Sequence, residues 1–199
     1  MIRASFVLLT VFAIVAHASV PNGTCSDEHV NNVRRLLLAG FAALNVQEQL
    51  PLRDVNDPAF SLSAGNLFGL RFLNISGDVK TTCGANESIA EFIAVAPQVK
   101  GHYNWRSRGN SPLSGDLIVE GRNGAFTGRL RHVRGTLRSA SLAFSHFSAV
   151  SIELDGVSSF SVPGSKIISL GNSAFNKAVR KSTTNVVSPA FKKAVQASQ

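Results

Sequence analysis

The sequence predicts an α+β fold, in which a curved antiparallel sheet is covered by a long C-terminal helix and preceded by a shorter N-terminal helix. Near both ends of the chain, apolar residues recur every three to four positions, as on one face of a helix. From Phe60 to Phe160 they instead alternate with polar residues, which is typical of strands with one buried face. Helices and strands that are segregated in this way favour an α+β architecture.

The first 18 residues are predicted to be a secretory signal peptide. Arg3 gives a positive start, residues 6–15 form an apolar run, and residues 16–18 (AHA) form a small-residue cleavage site. The run is shorter than the roughly 20 apolar residues that span a bilayer, so no transmembrane segment is predicted. A buried N-terminal helix is the alternative interpretation. Cleavage would leave residues 19–199, which we interpret as one domain of a secreted, extracellular protein.

The first helix is predicted over Ser26–Leu44. Acidic residues at positions 27 and 28 fall in its first turn, where the helix dipole favours negative charge. One narrow apolar stripe runs along it, formed by Val30, Val33, Leu37, Phe41 and Leu44. Pro51 and Pro58 then indicate a loop before the first strand.

Strands are predicted over residues 68–75, 89–95, 99–106 and 117–119. Residues 122–124 (RNG) predict a hairpin turn, because Asn-Gly tolerates positive φ. The alternation changes phase near His132, which predicts a β-bulge there. Beyond it, five apolar residues share one parity and are predicted to face the core: Leu142, Phe144, Val150, Ile152 and Leu154.

A long C-terminal helix is predicted after Pro163, where the apolar period returns to about 3.6 residues. Ser188 can act as an N-cap and Pro189 as the first residue of a new helical segment. We therefore predict a kink or break just before Pro189. The sheet must be curved if this one helix is to cover most of its apolar face.

Two segments resemble a known family. Residues 187–193 (VSPAFKK) are similar to the closing helix of the mite group 7 allergens, and residues 65–71 (GNLFGLR) with the strand 75–79 are similar to their first sheet strands. That family resembles insect juvenile-hormone-binding proteins and one half of the bactericidal/permeability-increasing protein. The resemblance implies a strongly curved sheet wrapped around the C-terminal helix, in an allergen-like secreted protein that holds a lipid or other hydrophobic ligand between the two.

Eight apolar residues are candidates for the wall of such a ligand site, because they lie on the predicted inner face of the sheet or on the facing arc of the helix. They are Phe72, Phe92, Phe144, Val150, Ile152, Ile168, Phe175 and Val179. The same pattern fits an ordinary filled core, and it is the family resemblance that favours a cavity.

No familiar catalytic or cofactor motif occurs in the sequence, which lacks a Gly-x-Ser-x-Gly elbow, a His-Glu-x-x-His pair and a P-loop. We therefore predict a non-enzymatic protein with no cofactor and no metal site. Nucleic acid is a poor partner for a secreted chain whose arginines are not interleaved with aromatic residues.

The two cysteines, Cys25 and Cys83, are predicted to form a disulfide, since an even pair in an oxidising compartment is most often bonded. Three sequons predict N-glycosylation, at Asn22, Asn74 and Asn86. Asn86 has the most favourable context, in a polar turn beside Cys83.

The formal net charge of +8 is unevenly distributed: −3 over residues 19–99, +6 over 100–138 and +6 over 166–199. Five arginines are concentrated in the middle segment: Arg122, Arg129, Arg131, Arg134 and Arg138. They suggest an alternative function, a cationic defence or matrix protein that binds lipopolysaccharide, anionic membranes or glycosaminoglycans. The simpler interpretation is a solvated basic face.

Overall fold

The computed structural model describes residues 23–110, 112–157 and 162–199; the predicted signal peptide and Asn22 lie outside them. Within these ranges the chain forms a nine-stranded antiparallel sheet with helices before and after it. The elements are β1 Gly23–Thr24, α1 Asp27–Ala42, β2 Gln49–Pro51, β3 Val55–Asn56, β4 Phe60–Phe68, β5 Asn74–Cys83, β6 Glu87–Ser107, β7 Ser114–Val133, β8 Thr136–His146, β9 Ala149–Leu154, α2 Val162–Ser182 and α3 Ser188–Ala197. The predicted α+β class is confirmed.

Helix α1 forms where the apolar stripe predicts it. Ser26 is its N-cap, and the Ser26 side chain accepts a hydrogen bond of 3.3 Å from the backbone N–H of His29. Val33, Leu37 and Phe41 are buried against the rest of the core, while the opposite side of the helix is exposed. The Ser26 cap therefore fixes where α1 begins, and the apolar stripe fixes which face of the helix is buried.

The sheet is organised around β6 and β7, which are 21 and 20 residues long. They pair antiparallel from Glu87↔Val133 at one end to Arg106↔Ser114 at the other. Strands β5 and β4 pair with successive halves of β6, and β8 and β9 pair with successive halves of β7. A straight strand of this length would reach roughly 70 Å, so one core can cover both halves only if the strands bend.

The pairing of β6 with β7 is interrupted in the middle of both strands. The pairs Ala96↔Gly124 and Gln98↔Arg122 place Pro97 opposite Asn123, whose φ is +47°. The predicted hairpin turn at residues 122–124 was therefore wrong, as was the division of β6 into two strands. The positive φ that Asn-Gly tolerates is used within a continuous strand, where long-range pairing outweighs the local preference for a turn.

The predicted strand over residues 68–75 was also wrong. It is interrupted at Gly69, where φ is +95° and a side chain would collide with the backbone carbonyl of Gln98. A 3₁₀ turn, Leu70–Phe72, then carries the chain from β4 to β5. Because β4 and β5 pair with different halves of β6, this crossing is needed to build the sheet.

The predicted β-bulge near His132 is confirmed. The pairing of β7 with β8 shifts between Arg131↔Ser139 and His132↔Leu137, so Arg138 is the extra residue on β8. The shift restores the alternation of buried and exposed residues along β8.

The C-terminal helix continues through Pro189, so the predicted alternative of a full break was wrong. A π-helical turn, Thr183–Val187, joins α2 to α3. Such a turn accommodates a proline, which has no N–H and whose ring clashes with the carbonyl of a regular α-helix. Ser188 is not an N-cap: its backbone is helical, and its hydroxyl accepts a 3.1 Å hydrogen bond from Leu142 N–H on β8. None of the described helices is long and apolar enough to cross a membrane.

Aromatic rings fill the space between sheet and helices. Phe41, Phe92 and Phe191 pack together beneath α1 and α3, with ring centroids 4.8–5.9 Å apart. A second group lies beneath α2, with successive centroids 4.7–5.4 Å apart: Phe126, Phe144, Phe147 and Phe175. The interior therefore contains two packed groups of phenylalanines, one against α1 and α3 and the other against α2.

The predicted disulfide between Cys25 and Cys83 is present and closes a loop of 58 residues. It joins the start of α1 to the end of β5, next to the pairing of Gly23 with Cys83. Such a crosslink restricts the unfolded chain.

Replacing both cysteines by serine should lower the free energy of unfolding by about 4 kcal/mol, the chain-entropy expectation for a loop of this length. Urea denaturation of the double variant and the wild type measures the difference. Wild-type protein reduced with a dithiol is the control, and should lose the same amount. Equal midpoints for oxidised wild type and double variant would contradict the prediction.

Candidate ligand cleft beside the C-terminal helix

A cleft of about 500 Å³ lies between the segment 51–56 and one side of α2. Tyr103 on β6 lies between these two walls. Apolar side chains from both walls face it, namely Leu52, Val55, Ala174, Ala178 and Val186. The cleft lies at the side of the packed interior and not between the two phenylalanine groups.

The wall formed by residues 51–56 is held in place by the sheet. Its two ends belong to β2 and β3, which both pair with β4. Between them, Leu52 N–H donates to the carbonyl of Gly65 at 2.8 Å, and the Arg108 guanidinium donates to Asn56 Oδ1 at 2.8 Å. These bonds make the segment a defined wall rather than a free loop.

Tyr103 is directed inward by a bulge in the neighbouring strand. The pairing of β4 with β6 shifts between Ser63 and Asn66, where Ala64 has φ +49°. A Cβ on Gly65 would lie 2.6 Å from the Tyr103 ring, so a residue without a side chain is required for the ring to lie there. The local irregularity of β4 therefore makes room for Tyr103.

The Tyr103 side chain is 1% exposed, and burial raises the pKa of its phenol to about 12. No hydrogen bond joins its hydroxyl to another described residue. The phenol thus stays neutral at physiological pH and can donate a hydrogen bond to a ligand.

Charged residues surround the mouth of the cleft. Lys177 and Lys181 belong to α2, while Arg53 and Asp54 belong to the opposite wall. All four are exposed, and none forms an ion pair with another described residue. The cleft therefore combines an apolar interior with a mouth that carries three cations and one carboxylate.

The structure places the eight predicted ligand residues elsewhere. Phe92, Phe144, Phe175 and Val179 are buried in the packed core, and Ile152 and Ile168 are half-buried. None of the eight is among the residues that line the cleft. Their role in ligand binding stays a prediction.

Phe72 and Val150 were wrongly predicted to be buried, since they are 55% and 42% exposed. Phe72 lies in the 3₁₀ turn outside the sheet, where the Arg71 guanidinium is 4.5 Å from its ring centroid. Val150 has the predicted parity, but β9 is an edge strand and leaves it uncovered.

Sequence reasoning missed the residues of the cleft. One signal was available for Tyr103: it is the single tyrosine of a chain with 13 phenylalanines, so its hydroxyl is an exception in an otherwise apolar core. Leu52 and Ala178 carried no comparable signal, because pairing over long sequence distances brings their segments together.

Of the five predicted polyanion-binding arginines, three are paired with glutamates. Arg131 donates to Glu87 at 2.6 Å, Arg122 to Glu120 at 2.8 Å, and Arg129 lies 3.9 Å from Glu91. The hydrogen bond from Arg131 is the main cause that lowers the pKa of Glu87. Arg134 and Arg138 are exposed in the turn after β7 and at the bulge. Polyanion binding through these arginines stays a prediction.

A second, wider groove of about 1080 Å³ lies between α1 and the turns that follow β5 and β7. Most of its lining residues are polar, among them His29, His132 and the exposed sequon residue Asn86. His132 is 9% exposed, and its Nε2 lies 3.2 Å from the Gln199 side-chain amide. The polar walls make this groove less suited to a hydrophobic ligand than the cleft. Asn74, another predicted glycosylation site, is exposed at the start of β5.

His132 should make the protein less stable in acid. Burial, and then the charge of His29, lower its pKa below the ordinary 6.5. The folded state thus favours neutral imidazole, and the unfolded state binds more protons as pH falls through this window. The stabilisation is complete above pH 6.5 and is lost as pH falls through the lowered pKa.

Urea denaturation between pH 7.5 and pH 5 measures this loss in the wild type and in His132→Gln. The variant should show a smaller decrease in the free energy of unfolding over the same range. Identical pH profiles for the two proteins would rule out His132 as the source.

Comparisons with known proteins are distant. No protein-family model and no curated protein matches this chain. It is similar to a crystal structure of lipopolysaccharide binding protein, with 11% identity and a TM-score of 0.46 over 85% of this chain and 38% of that one. The chain thus spans less than half the length of that protein.

A second similar structure is Takeout 1 of Epiphyas postvittana, with 21% identity and a TM-score of 0.38 over 85% of this chain and 88% of that one. Both likenesses are too remote to transfer a ligand or a function. Membership of the mite group 7 allergen family stays a prediction.

Proposed function

We propose that this protein is a secreted, non-enzymatic binding protein for a lipid or other hydrophobic small molecule, and that the ligand lies in the cleft beside α2. The observation that carries the proposal is the cleft itself, which combines apolar walls with one buried phenol. Its volume of about 500 Å³ lies within the roughly 300–1,000 Å³ typical of small-molecule sites.

The shape of the cleft depends on small side chains. Ala174 and Ala178 lie one helical turn apart on α2, and both line the cleft. Larger residues there would fill the space next to Tyr103. Val186, at the π-helical turn, is 37% exposed, and a ligand would bury its apolar surface at a gain of about 25 cal/mol per Å².

The residues of the cleft favour binding over catalysis. The described lining residues include one serine, Ser182, and no histidine that could act as its general base. Secretion is supported by the predicted signal peptide and by the disulfide, which is typical of oxidising compartments.

Native mass spectrometry of protein purified from its own source, before and after organic extraction, tests the function directly. A co-purifying lipid that extraction removes, together with displacement of a fluorescent fatty acid, is the expected result. No bound lipid and no displacement would contradict the proposal.

Ala178→Phe tests the location. The added ring should fill the cleft and weaken fatty-acid binding by at least about tenfold, or 1.4 kcal/mol. Ala197→Phe is the matched control, because Ala197 is exposed at the end of α3 and does not line the cleft. Dye displacement with both variants, each shown to be folded, measures the effect. Wild-type affinity in Ala178→Phe would exclude this cleft.

A further inference from the structure

We infer that the cleft selects amphiphiles that carry a carboxylate, whose charge is held by Lys177 and Lys181 at its mouth. This inference rests on the proposed function and names the class of ligand that the site takes. It is carried by the position of the two lysines, the absence of an ion pair between them and any described residue, and the chemistry of the walls behind them.

The two lysines are four residues apart on α2 and line the same cleft. Like charges at this spacing repel each other and are unfavourable for a helix. Neither ammonium forms an ion pair with another described residue. A carboxylate placed between them would relieve the repulsion and accept charge-assisted hydrogen bonds from both.

Several other cations of the protein have partners within it. Arg71, Arg129 and Arg131 each lie within 4.0 Å of a glutamate. Arg180, between the two lysines in sequence, is 5.5 Å from the Phe144 ring and thus faces the sheet. On this part of α2, the two lysines therefore differ from Arg180, because neither of them has an ion-pair or ring partner among the described residues.

The charged residues on the opposite side of the mouth cancel each other, so the cleft as a whole stays positively charged. Arg53 and Asp54 line it, so the charged residues of the cleft are three cations and one carboxylate, a net of +2. Behind them, Leu52, Val55 and Tyr103 offer an apolar path for a hydrocarbon chain. An amphiphile with one anionic end matches both parts, whereas a cationic one is repelled at the mouth.

Three ligands of equal chain length test this selection: palmitate, hexadecanol and hexadecylamine, each displacing an uncharged fluorescent probe. Palmitate should bind roughly two- to thirtyfold more tightly than hexadecanol, the range for two exposed ion pairs, and hexadecylamine should bind most weakly. The preference for palmitate should shrink at 1 M salt, where the Debye length falls to about 3 Å.

The double variant Lys177→Gln/Lys181→Gln should bind hexadecanol like the wild type and lose the preference for palmitate. The control is Lys192→Gln/Lys193→Gln on α3, which removes the same charge from residues that do not line the cleft. This control should keep the wild-type preference.

The outcomes separate the two proposals. Equal affinities for the three ligands in the wild type would overturn the selection of carboxylates and leave the proposed function standing. A preference for palmitate that persists in Lys177→Gln/Lys181→Gln would overturn the assignment to these lysines. No binding of any of the three would overturn the proposed function as well.

Discussion

The full-length pairing of β6 with β7 is the constraint on which the rest of the structure depends. The ladder between them is interrupted where Pro97 faces Asn123, and the strands that pair with β6 and β7 change at the same place. This place divides the sheet into two halves. One half holds α1, α3 and the disulfide, and the other holds α2 and the cleft.

Phenylalanine rings pack between the sheet and the helices. One group of rings lies against α1 and α3 and a second against α2, so these side chains occupy the space next to each helix. The cleft lies at a boundary of this packed core, beside α2. The bulge at Ala64 and Gly65 turns that boundary into a site, because it allows Tyr103 to lie beneath the segment 51–56.

Features that depend on local patterns could be predicted from the sequence. The apolar stripe and Ser26 defined α1, the phase change near His132 located the bulge, and the two cysteines gave the disulfide. Strand continuity through Pro97 could not be predicted, because partner strands stabilise conformations that the local sequence disfavours.

The cleft was beyond prediction for a related reason. Leu52, Tyr103 and Ala178 come from a connecting segment, a central strand and a late helix. Leu52 and Ala178 are not unusual within their own segments, and the pairing of β2, β3 and β6 with β4 brings Leu52 next to Tyr103. A site of this kind depends on sheet register and not on any motif.

The occupant of the cleft can be followed at Tyr103, because it is the one tyrosine in the chain. Protein labelled with ¹³C-tyrosine gives NMR ring signals from this residue alone. If the ligand lies in the cleft, titration with palmitate should move these signals and saturate at the ligand concentration that displaces a fluorescent fatty acid. Displacement of the fluorescent fatty acid with unmoved Tyr103 signals would place the ligand elsewhere and contradict the proposed site.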